Sequence, residues 1–241
     1  MVSKGTRGMW ARVAAAMALG VVVASGASAV DVTIDSATMT NGYMNVFNLP
    51  SNGGAYQFGS SWGIADLNAT FPNSSTVNFT PNTIGDPNPY WYTPSGGPGA
   101  TGNKIMEANL YAQPADGTLS GQTITFKGNV SAFTLQTGTN ANTDYTFKAF
   151  IRDFASDYSS VVETAIPITS TGEFTAILAT INDPTRHVQY GLQMRGPDVW
   201  VTDVAAKGSV TVTAVPEPST WAVSAAGLLV AGVIRRRRGG R

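Results

Sequence analysis

Residues 145–154 read Tyr-Thr-Phe-Lys-Ala-Phe-Ile-Arg-Asp-Phe, and this stretch decides the fold class. Every second residue from Tyr145 to Ile151 is apolar, whereas Lys148 and Arg152 occupy alternate positions. Side chains of a β-strand point in turn to its two faces, so the pattern predicts a strand with one face in a core.

Seven further short strand-like runs recur, separated by Gly, Asn, Asp and Pro, and several of them alternate in the same way. They cover residues 55–60, 104–112, 122–130, 160–168, 173–179, 187–194 and 209–214. No long amphipathic helical pattern interrupts them. About eight short strands in a domain of this length predict an all-β fold, a single antiparallel β-sandwich of jelly-roll type over residues 30–214.

Composition agrees with this prediction. The chain has 241 residues, of which 43% are hydrophobic, enough for one sizeable core. It contains 26 glycines and 13 prolines, while only 12% of its residues are charged. This mixture favours a turn-rich extracellular β-domain over a helical cytosolic enzyme. The absence of cysteine excludes disulfides and thiolate chemistry.

The net charge of zero hides an uneven distribution. Residues 1–29 and 220–241 carry basic residues and no acidic ones. Residues 30–219 hold seven of the 15 basic residues and all 15 acidic residues, a net charge of about −8. A nucleic-acid surface requires a basic patch on the folded domain, so we exclude nucleic acid as a partner.

Residues 1–29 have the three parts of a secretory signal peptide. Lys4, Arg7 and Arg12 form the cationic part, residues 13–23 are continuously apolar, and Ala27-Ser28-Ala29 supplies a cleavage pattern. We expect signal peptidase to cleave after Ala29, so that the mature chain begins at Val30. An uncleaved membrane anchor is the alternative, although the apolar part is short for a membrane span.

The last segment, residues 215–241, also has three parts. Pro216, Glu217 and Pro218 come first, and the two prolines disfavour regular structure. Residues 221–234 follow as an uncharged apolar run, which predicts a membrane-spanning helix before processing. Arg235, Arg236, Arg237 and Arg238 then form a stop signal that remains cytoplasmic, so the preceding domain faces outward.

This tripartite tail resembles the PEP-CTERM sorting signal of exported Gram-negative proteins. The resemblance implies recognition by an exosortase, a membrane-embedded transpeptidase-like enzyme, and cleavage near the Pro-Glu-Pro motif. It also implies transfer to the cell surface or to extracellular, exopolysaccharide-associated material. A plain single-span anchor is the alternative. Under either interpretation these residues are a substrate and not a catalytic site.

The long segment at residues 82–103 interrupts the strand pattern, because it is rich in Pro and Gly. Such loops are usually functional or disordered. Tyr90, Trp91 and Tyr92 at its centre offer aromatic faces beside polar neighbours, the combination that ligand sites use. We therefore predict a ligand-binding role for these three residues. The alternative is that Trp91 folds back onto the core with its indole N–H bonded locally.

Enzymatic sites have weaker support in the sequence. Residues 59–63, Gly-Ser-Ser-Trp-Gly, match the nucleophile elbow of α/β-hydrolases, but no helix is predicted after them. His187 is the sole histidine, so a serine triad would have to use it. A glycosidase would need two convergent carboxylates, for which Glu107, Glu163 and Glu173 are available.

Metal and cofactor sites have little support either. One histidine and no cysteine disfavour zinc, and no cofactor motif occurs. Residues 140–144, Asn-Ala-Asn-Thr-Asp, resemble the start of a calcium loop but lack its glycine and distant glutamate, so a polar turn is the preferred interpretation.

These patterns lead to one functional hypothesis and two alternatives. We expect a non-enzymatic surface or matrix protein with a carbohydrate-binding central domain. An extracellular glycan hydrolase or lyase is one alternative, and a purely structural matrix protein is the other.

Overall fold

Fourteen β-strands and two short 3₁₀ turns account for the regular structure of residues 29–215, which are the residues that the computed structural model describes. The strands are β1 (Ala29–Val32), β2 (Asn41–Asn48), β3 (Tyr56–Ser61), β4 (Ala69–Asn73), β5 (Thr76–Phe79), β6 (Tyr92–Thr93), β7 (Thr101–Gly102), β8 (Lys104–Ala112), β9 (Thr123–Phe133), β10 (Thr146–Phe154), β11 (Val161–Ile168), β12 (Gly172–Ala179), β13 (His187–Pro197) and β14 (Val210–Thr213). Within these residues there is no α-helix, which confirms the all-β prediction.

The strands form two six-stranded sheets and one small ribbon. In sheet A, β9 pairs with β12 along one edge and with β1 and β14 along the other, and β5 and β4 follow β14. Sheet B has the order β11-β10-β13-β8-β2-β3 and is antiparallel throughout. The ribbon consists of β6 and β7.

One strand pair departs from the predicted antiparallel arrangement. Strand β1 runs parallel to β9, with Ala29 opposite Thr123 and Val32 opposite Phe126. A tight hairpin forces its two strands to be antiparallel, whereas β1 has no hairpin connection to β9 and its direction is free. It lies on the same edge of β9 as β14, whose register begins at Asn129.

The inward faces of the two sheets share one hydrophobic core. Its members run from Ile34 to Val212 and include residues of both sheets. Phe79 of sheet A meets Phe147 of sheet B with ring centroids 5.6 Å apart, and Phe126 meets Tyr190 at 5.5 Å. Burying each such ring contributes about 1.5–3 kcal/mol. Residues 29–215 therefore contain a complete core of their own.

The Pro/Gly-rich segment at residues 82–103 is ordered by contacts at both of its ends. Tyr92 is fully buried, and its hydroxyl donates to the carbonyl oxygen of Ile84 at 2.7 Å and lies 3.2 Å from that of Val199. Gly102 approaches Asp198 so closely that a Cβ at this position would overlap the backbone. The segment thus packs against the chain that follows β13.

Several predictions concern residues outside the described range. These are the signal peptide before Ala29, the motif Pro216, Glu217 and Pro218, the spanning helix at 221–234 and the stop signal Arg235–Arg238. Among residues 29–215, no helix is long and apolar enough to cross a membrane.

Candidate ligand-binding groove

The outer face of sheet B carries a set of buried polar and aromatic side chains. Phe147 and Ile151 of β10 belong to the core. Phe150 and Arg152 occupy the alternate positions of the same strand and therefore lie on the opposite face. On this outer face Phe150 is fully buried, and Asn109 is only 2% exposed. The outer face of sheet A, in contrast, presents half-buried threonine and asparagine side chains along β9 and β14. The two faces therefore have different chemistry.

Asn109 organises the centre of the outer face of sheet B. Its Oδ1 accepts hydrogen bonds from Arg152 Nη1 at 2.9 Å and from Gln193 Nε2 at 2.7 Å. Its Nδ2 donates to the carbonyl oxygens of Tyr43 at 3.2 Å and Glu107 at 3.0 Å. An amide with every bonding position used is held in one orientation. The network therefore fixes Arg152 as well.

A groove of about 470 Å³ runs over this network. This volume lies within the range of small-ligand sites. Four aromatic and five polar residues line the groove: Tyr43, Tyr111, Phe154 and Tyr158, and Asn45, Ser61, Asn109, Arg152 and Gln189. They come from β2, β3, β8, β10, β13 and the turn between β10 and β11. The groove thus crosses most of sheet B.

Neighbouring residues hold the polar walls of the groove. Asn45 Nδ2 donates to Glu107 Oε1 at 3.0 Å, and Gln189 Nε2 donates to Gln113 Oε1 at 2.7 Å. Gly59 on β3 leaves space for the side chain of Asn45, because a Cβ at position 59 would lie 2.7 Å from Asn45 Oδ1. The polar side chains are therefore positioned before any ligand arrives, which lowers the entropic cost of binding.

Tyr158 closes one end of the groove and has an unusual backbone conformation. Its φ is 59°, a left-handed value that a bulky side chain rarely adopts. The residue is 55% exposed. Its ring stacks on the His187 ring with centroids 4.6 Å apart, and its centroid lies 5.4 Å from that of Phe154. Backbone strain of this kind tends to occur at functional sites. The turn thus presents an aromatic face to solvent at the groove.

The tyrosine hydroxyl of Tyr111 remains protonated across the physiological pH range. Burial is the main cause that raises its pKa, and the nearby hydroxyls of Tyr158 and Tyr43 act in the same direction. A neutral phenol both donates and accepts hydrogen bonds. Together with Ser61 and the amides, it gives the groove both donors and acceptors for a hydroxyl-rich ligand.

The predicted aromatic site at residues 90–92 is divided in the structure. Tyr92 is buried and cannot contact a ligand, because its ring is part of the core. Trp91 is half-buried, packs against the core and meets Phe58 at 6.3 Å. Tyr90 is 39% exposed, with Lys104 Nζ 4.1 Å from the centre of its ring. Only Tyr90 and part of Trp91 are therefore accessible.

The serine and histidine of the hydrolase hypothesis occupy strand positions. Ser61 ends β3, and no helix follows it in the described part of the chain. Trp62 Nε1 donates to Ser60 Oγ at 2.9 Å. His187 Nδ1 lies 2.7 Å from Asp116 Oδ1, and Nε2 lies 3.1 Å from the carbonyl oxygen of Ser156. Both ring nitrogens of His187 are thus engaged by groups other than a serine hydroxyl.

The three candidate glutamates do not converge. Glu173 lies on β12 in sheet A. Glu107 and Glu163 share the outer face of sheet B but are separated by β13 and β10, and Glu107 aligns with Thr146 of β10 whereas Glu163 aligns with Arg152, six residues further along. At ordinary strand geometry this places them roughly 25 Å apart. Glycosidases hold their carboxyl groups roughly 5–10 Å apart. Arg195 pairs with Glu107 at 3.5 Å, and Lys148 pairs with Glu163 at 3.0 Å.

Residues 140–144 form a self-contained turn. The backbone N–H of Asn140 donates to Asp144 Oδ2 at 2.9 Å, and that of Asn142 donates to Asn140 Oδ1 at 3.1 Å. Asn142 Oδ1 accepts from the backbone N–H of Ser51 at 2.9 Å. The side-chain oxygens of the turn thus stabilise its own backbone. Among residues 29–215, no group of three or more His, Asp or Glu side chains is placed to hold a metal.

The sequence alone does not predict the groove. The alternation in residues 145–154 places Phe150 and Arg152 together on the face that points away from the core, and this is the one feature of the sequence that indicates a site there. They form a site only together with Asn109 and Gln189, which lie 43 positions before and 37 positions after Arg152 along the chain. Only the register of β8, β13 and β10 brings these residues together.

Comparison with known proteins identifies the C-terminal segment. The family model of the PEP-CTERM protein-sorting motif matches residues 214–238, which confirms the resemblance found in the sequence. This match supports an exported protein that is sorted by an exosortase-type enzyme from a membrane-anchored precursor. No curated protein and no solved structure matches the chain.

Proposed function

We propose that this exosortase-sorted chain is a cell-surface or extracellular-matrix protein whose central domain binds polysaccharide in the groove of sheet B. In this proposal residues 30–214 form a β-sandwich of jelly-roll type. Signal peptidase removes residues 1–29, and the helix at 221–234 retains the precursor until the exosortase acts near Pro216, Glu217 and Pro218. The domain then remains at the surface or in the matrix.

The observation that carries the proposal is the composition of the groove. Sugar rings have apolar faces that pack on aromatic rings and hydroxyl edges that hydrogen-bond to amides and phenols. Tyr43, Tyr111 and Tyr158 provide rings, and Asn45 and Gln189 provide amides, within one groove. The fixed network below them keeps the binding groups in place.

The hydrolase or lyase alternative has less support at this groove. Among the described residues that line it, none is a carboxylate. The structural alternative predicts that the wild-type chain is not retained on any of the polysaccharides. Tyr90 and Trp91 form a second candidate surface beside β3 and the start of β8, outside the residues that line the groove, and are tested in parallel with the groove.

The test measures retention of the full chain, extracted in detergent, on a panel of insoluble and soluble polysaccharides that includes matrix from the producing cells. Residues 29–215 are run in parallel, because they contain a complete core. Tyr158→Gly is the main variant. Glycine accepts a φ of 59° without strain, which offsets the loss of ring contacts, so the free energy of unfolding should change by less than about 1 kcal/mol.

We expect Tyr158→Gly and Tyr111→Phe to weaken retention at least about fivefold, as expected from a lost ring contact or hydrogen bond of about 1 kcal/mol. Trp91→Ala and Tyr90→Ala should retain wild-type binding. If these two variants lose binding while Tyr158→Gly keeps it, the ligand lies at the 82–103 segment. Release of reducing sugar would favour the hydrolase, and no retention by the wild type would favour a structural protein.

A further inference from the structure

Positive charge is concentrated on the outer face of sheet B. Residues 29–215 contain seven basic and 14 acidic residues, a net charge of about −7. Among the strand residues of that face, Lys148, Arg152 and Arg195 lie together with two carboxylates, Glu107 and Glu163. The face is therefore slightly positive, whereas the remainder of the domain is strongly negative.

Within the groove the asymmetry is stronger. Arg152 is the single charged residue among the described residues that line it. An acidic wall would repel an anionic ligand, and none is present among those residues. The groove therefore offers one cation with hydroxyl, amide and aromatic groups around it.

The guanidinium of Arg152 is held rigidly by three neighbours. Nη1 donates to Asn109 Oδ1 at 2.9 Å, Nε lies 3.5 Å from Glu163 Oε1, and the central carbon lies 3.9 Å from the centre of the Phe150 ring. The side chain is only 14% exposed. A fixed, partly desolvated guanidinium recognises a planar carboxylate more strongly than a mobile surface lysine does.

We infer that the groove selects acidic polysaccharides, in which a uronate carboxylate binds Arg152 while the sugar ring packs on the tyrosines. This inference rests on the proposed function, since it specifies the ligand of the same groove. A sulfate ester also carries negative charge and can bind the fork of arginine, so the experiment includes a sulfated polymer to distinguish the two anions. Arg152 is thus the residue that determines specificity.

The experiment compares polygalacturonate with its methyl ester, which has the same sugar backbone but carries a neutral ester in place of each carboxylate. Binding of the full chain is measured by affinity electrophoresis or calorimetry, with alginate, dextran and dextran sulfate as further probes. We expect polygalacturonate or alginate to bind at least about tenfold more tightly than the neutral ester and dextran. Added salt should weaken the acidic interaction and leave any neutral interaction unchanged.

Arg152→Gln should abolish the preference for the acidic polymer, and Arg152→Lys should restore it only in part, since lysine keeps the charge but lacks the fork. Lys127→Gln is the matched control, because this substitution also removes one positive charge. Lys127 lies on sheet A, where it pairs with Asp31. Circular dichroism confirms that each variant is folded. If Arg152→Gln unfolds, the comparison of the two polymers with Arg152→Lys still decides the question.

The outcomes separate the two proposals. Equal binding of polygalacturonate and its ester overturns the inference and leaves the carbohydrate-binding proposal intact. A preference for dextran sulfate over both uronates also overturns it. Binding of none of these polymers, under conditions where the chain is folded, overturns the inference, and the proposed function is overturned as well only if the wild type is also not retained on the wider polysaccharide and matrix panel.

Discussion

Phe79 of β5 and Phe147 of β10 meet edge to face across the two sheets, with ring centroids 5.6 Å apart and ring planes at 68°. Both residues are buried, and they belong to different sheets. The two sheets are thus joined by direct side-chain packing in the middle of the core. The energy of this contact measures how strongly the sheets are coupled.

A double-mutant cycle with Phe79→Leu and Phe147→Leu tests that coupling. Edge-to-face aromatic pairs contribute about 0.5–1.5 kcal/mol beyond the area they bury. We expect a coupling energy in this range from urea unfolding, and a loss of about 3–5 kcal/mol for Phe79→Ala alone. Strictly additive effects of the two leucine substitutions would contradict direct packing of the sheets.

Much of the fold follows from the sequence because eight short apolar runs are separated by turn residues, and several of these runs alternate between apolar and polar residues. All eight predicted runs correspond to β3 and to β8–β14 within a few residues. Strands β1, β2 and β4–β7 are not predicted. In β2, the long strand among them, Asn41, Asn45 and Asn48 have low strand propensity. It forms nonetheless because Met44 and Val46 are fully buried in the core. Tertiary packing outweighs local preference at this strand.

The functional site was harder to predict than the fold. The sequence directed attention to residues 90–92, because consecutive aromatic residues in a loop are conspicuous. Burial of Tyr92 depends on contacts with Ile84 and Val199, and the second of these residues lies 107 positions away. The groove residues are spread from Tyr43 to Gln189. Sites of this kind become visible only when strand register is known.

Arg186 and Asp153 form a buried ion pair, and its removal should be costly. Asp153 is fully buried, and its Oδ1 accepts from Arg186 Nε at 2.7 Å. Its Oδ2 accepts from the backbone N–H of Ile181 at 2.8 Å. Arg186→Met leaves a charged group buried without its counter-ion, which typically costs about 3–5 kcal/mol. Urea unfolding at neutral pH measures this loss.

Lys127→Met is the control for the ion pair. Lys127 and Asp31 are 38% and 54% exposed in their side chains, so their pairing is weakened by solvent. We expect a change below about 1 kcal/mol for this variant. Comparable losses for Arg186→Met and Lys127→Met would show that burial of Asp153 does not determine the effect.

Asp198 introduces a pH dependence into the stability of the domain. Burial is the main cause that raises its pKa to about 7, from an ordinary value of 3.8. A carboxyl with a raised pKa favours the folded state while protonated. Its contribution is therefore complete below about pH 4 and is lost as the pH rises to about 7. Neither Asp198 Oδ2 nor the Tyr145 hydroxyl has a hydrogen-bond partner among the described residues.

Asp198→Asn should remove this dependence. The neutral amide keeps the acceptor for the backbone N–H of Lys104, which lies 3.0 Å from Asp198 Oδ1. We expect stabilisation on the order of 2–4 kcal/mol at pH 8 and little change at pH 4. Asp203→Asn removes a charge from the same cavity but weakens the bond from the Gly99 N–H, so it should not stabilise the fold. Equal effects at both pH values would contradict the assignment.

His187 connects the end of the groove to Asp116, and its titration can be followed without ambiguity because the chain has one histidine. The hydrogen bond that His187 Nδ1–H donates to Asp116 is the main cause that raises the pKa of His187 above 6.5. A raised histidine pKa stabilises the fold fully below 6.5, and this contribution is lost as the pH rises through the folded-state value. The free energy of unfolding should therefore fall with rising pH over that range.

Asp116→Asn keeps an oxygen acceptor beside Nδ1 but removes the charge, so the pKa of His187 should fall. The imidazole resonances give this value directly by NMR. Tyr158→Gly serves as the comparison, since it removes the stacked ring and leaves the carboxylate in place. The pKa of His187 should therefore remain raised in Tyr158→Gly. If Asp116→Asn leaves the pKa unchanged while Tyr158→Gly lowers it, the stacked ring and not the carboxylate controls the protonation of His187.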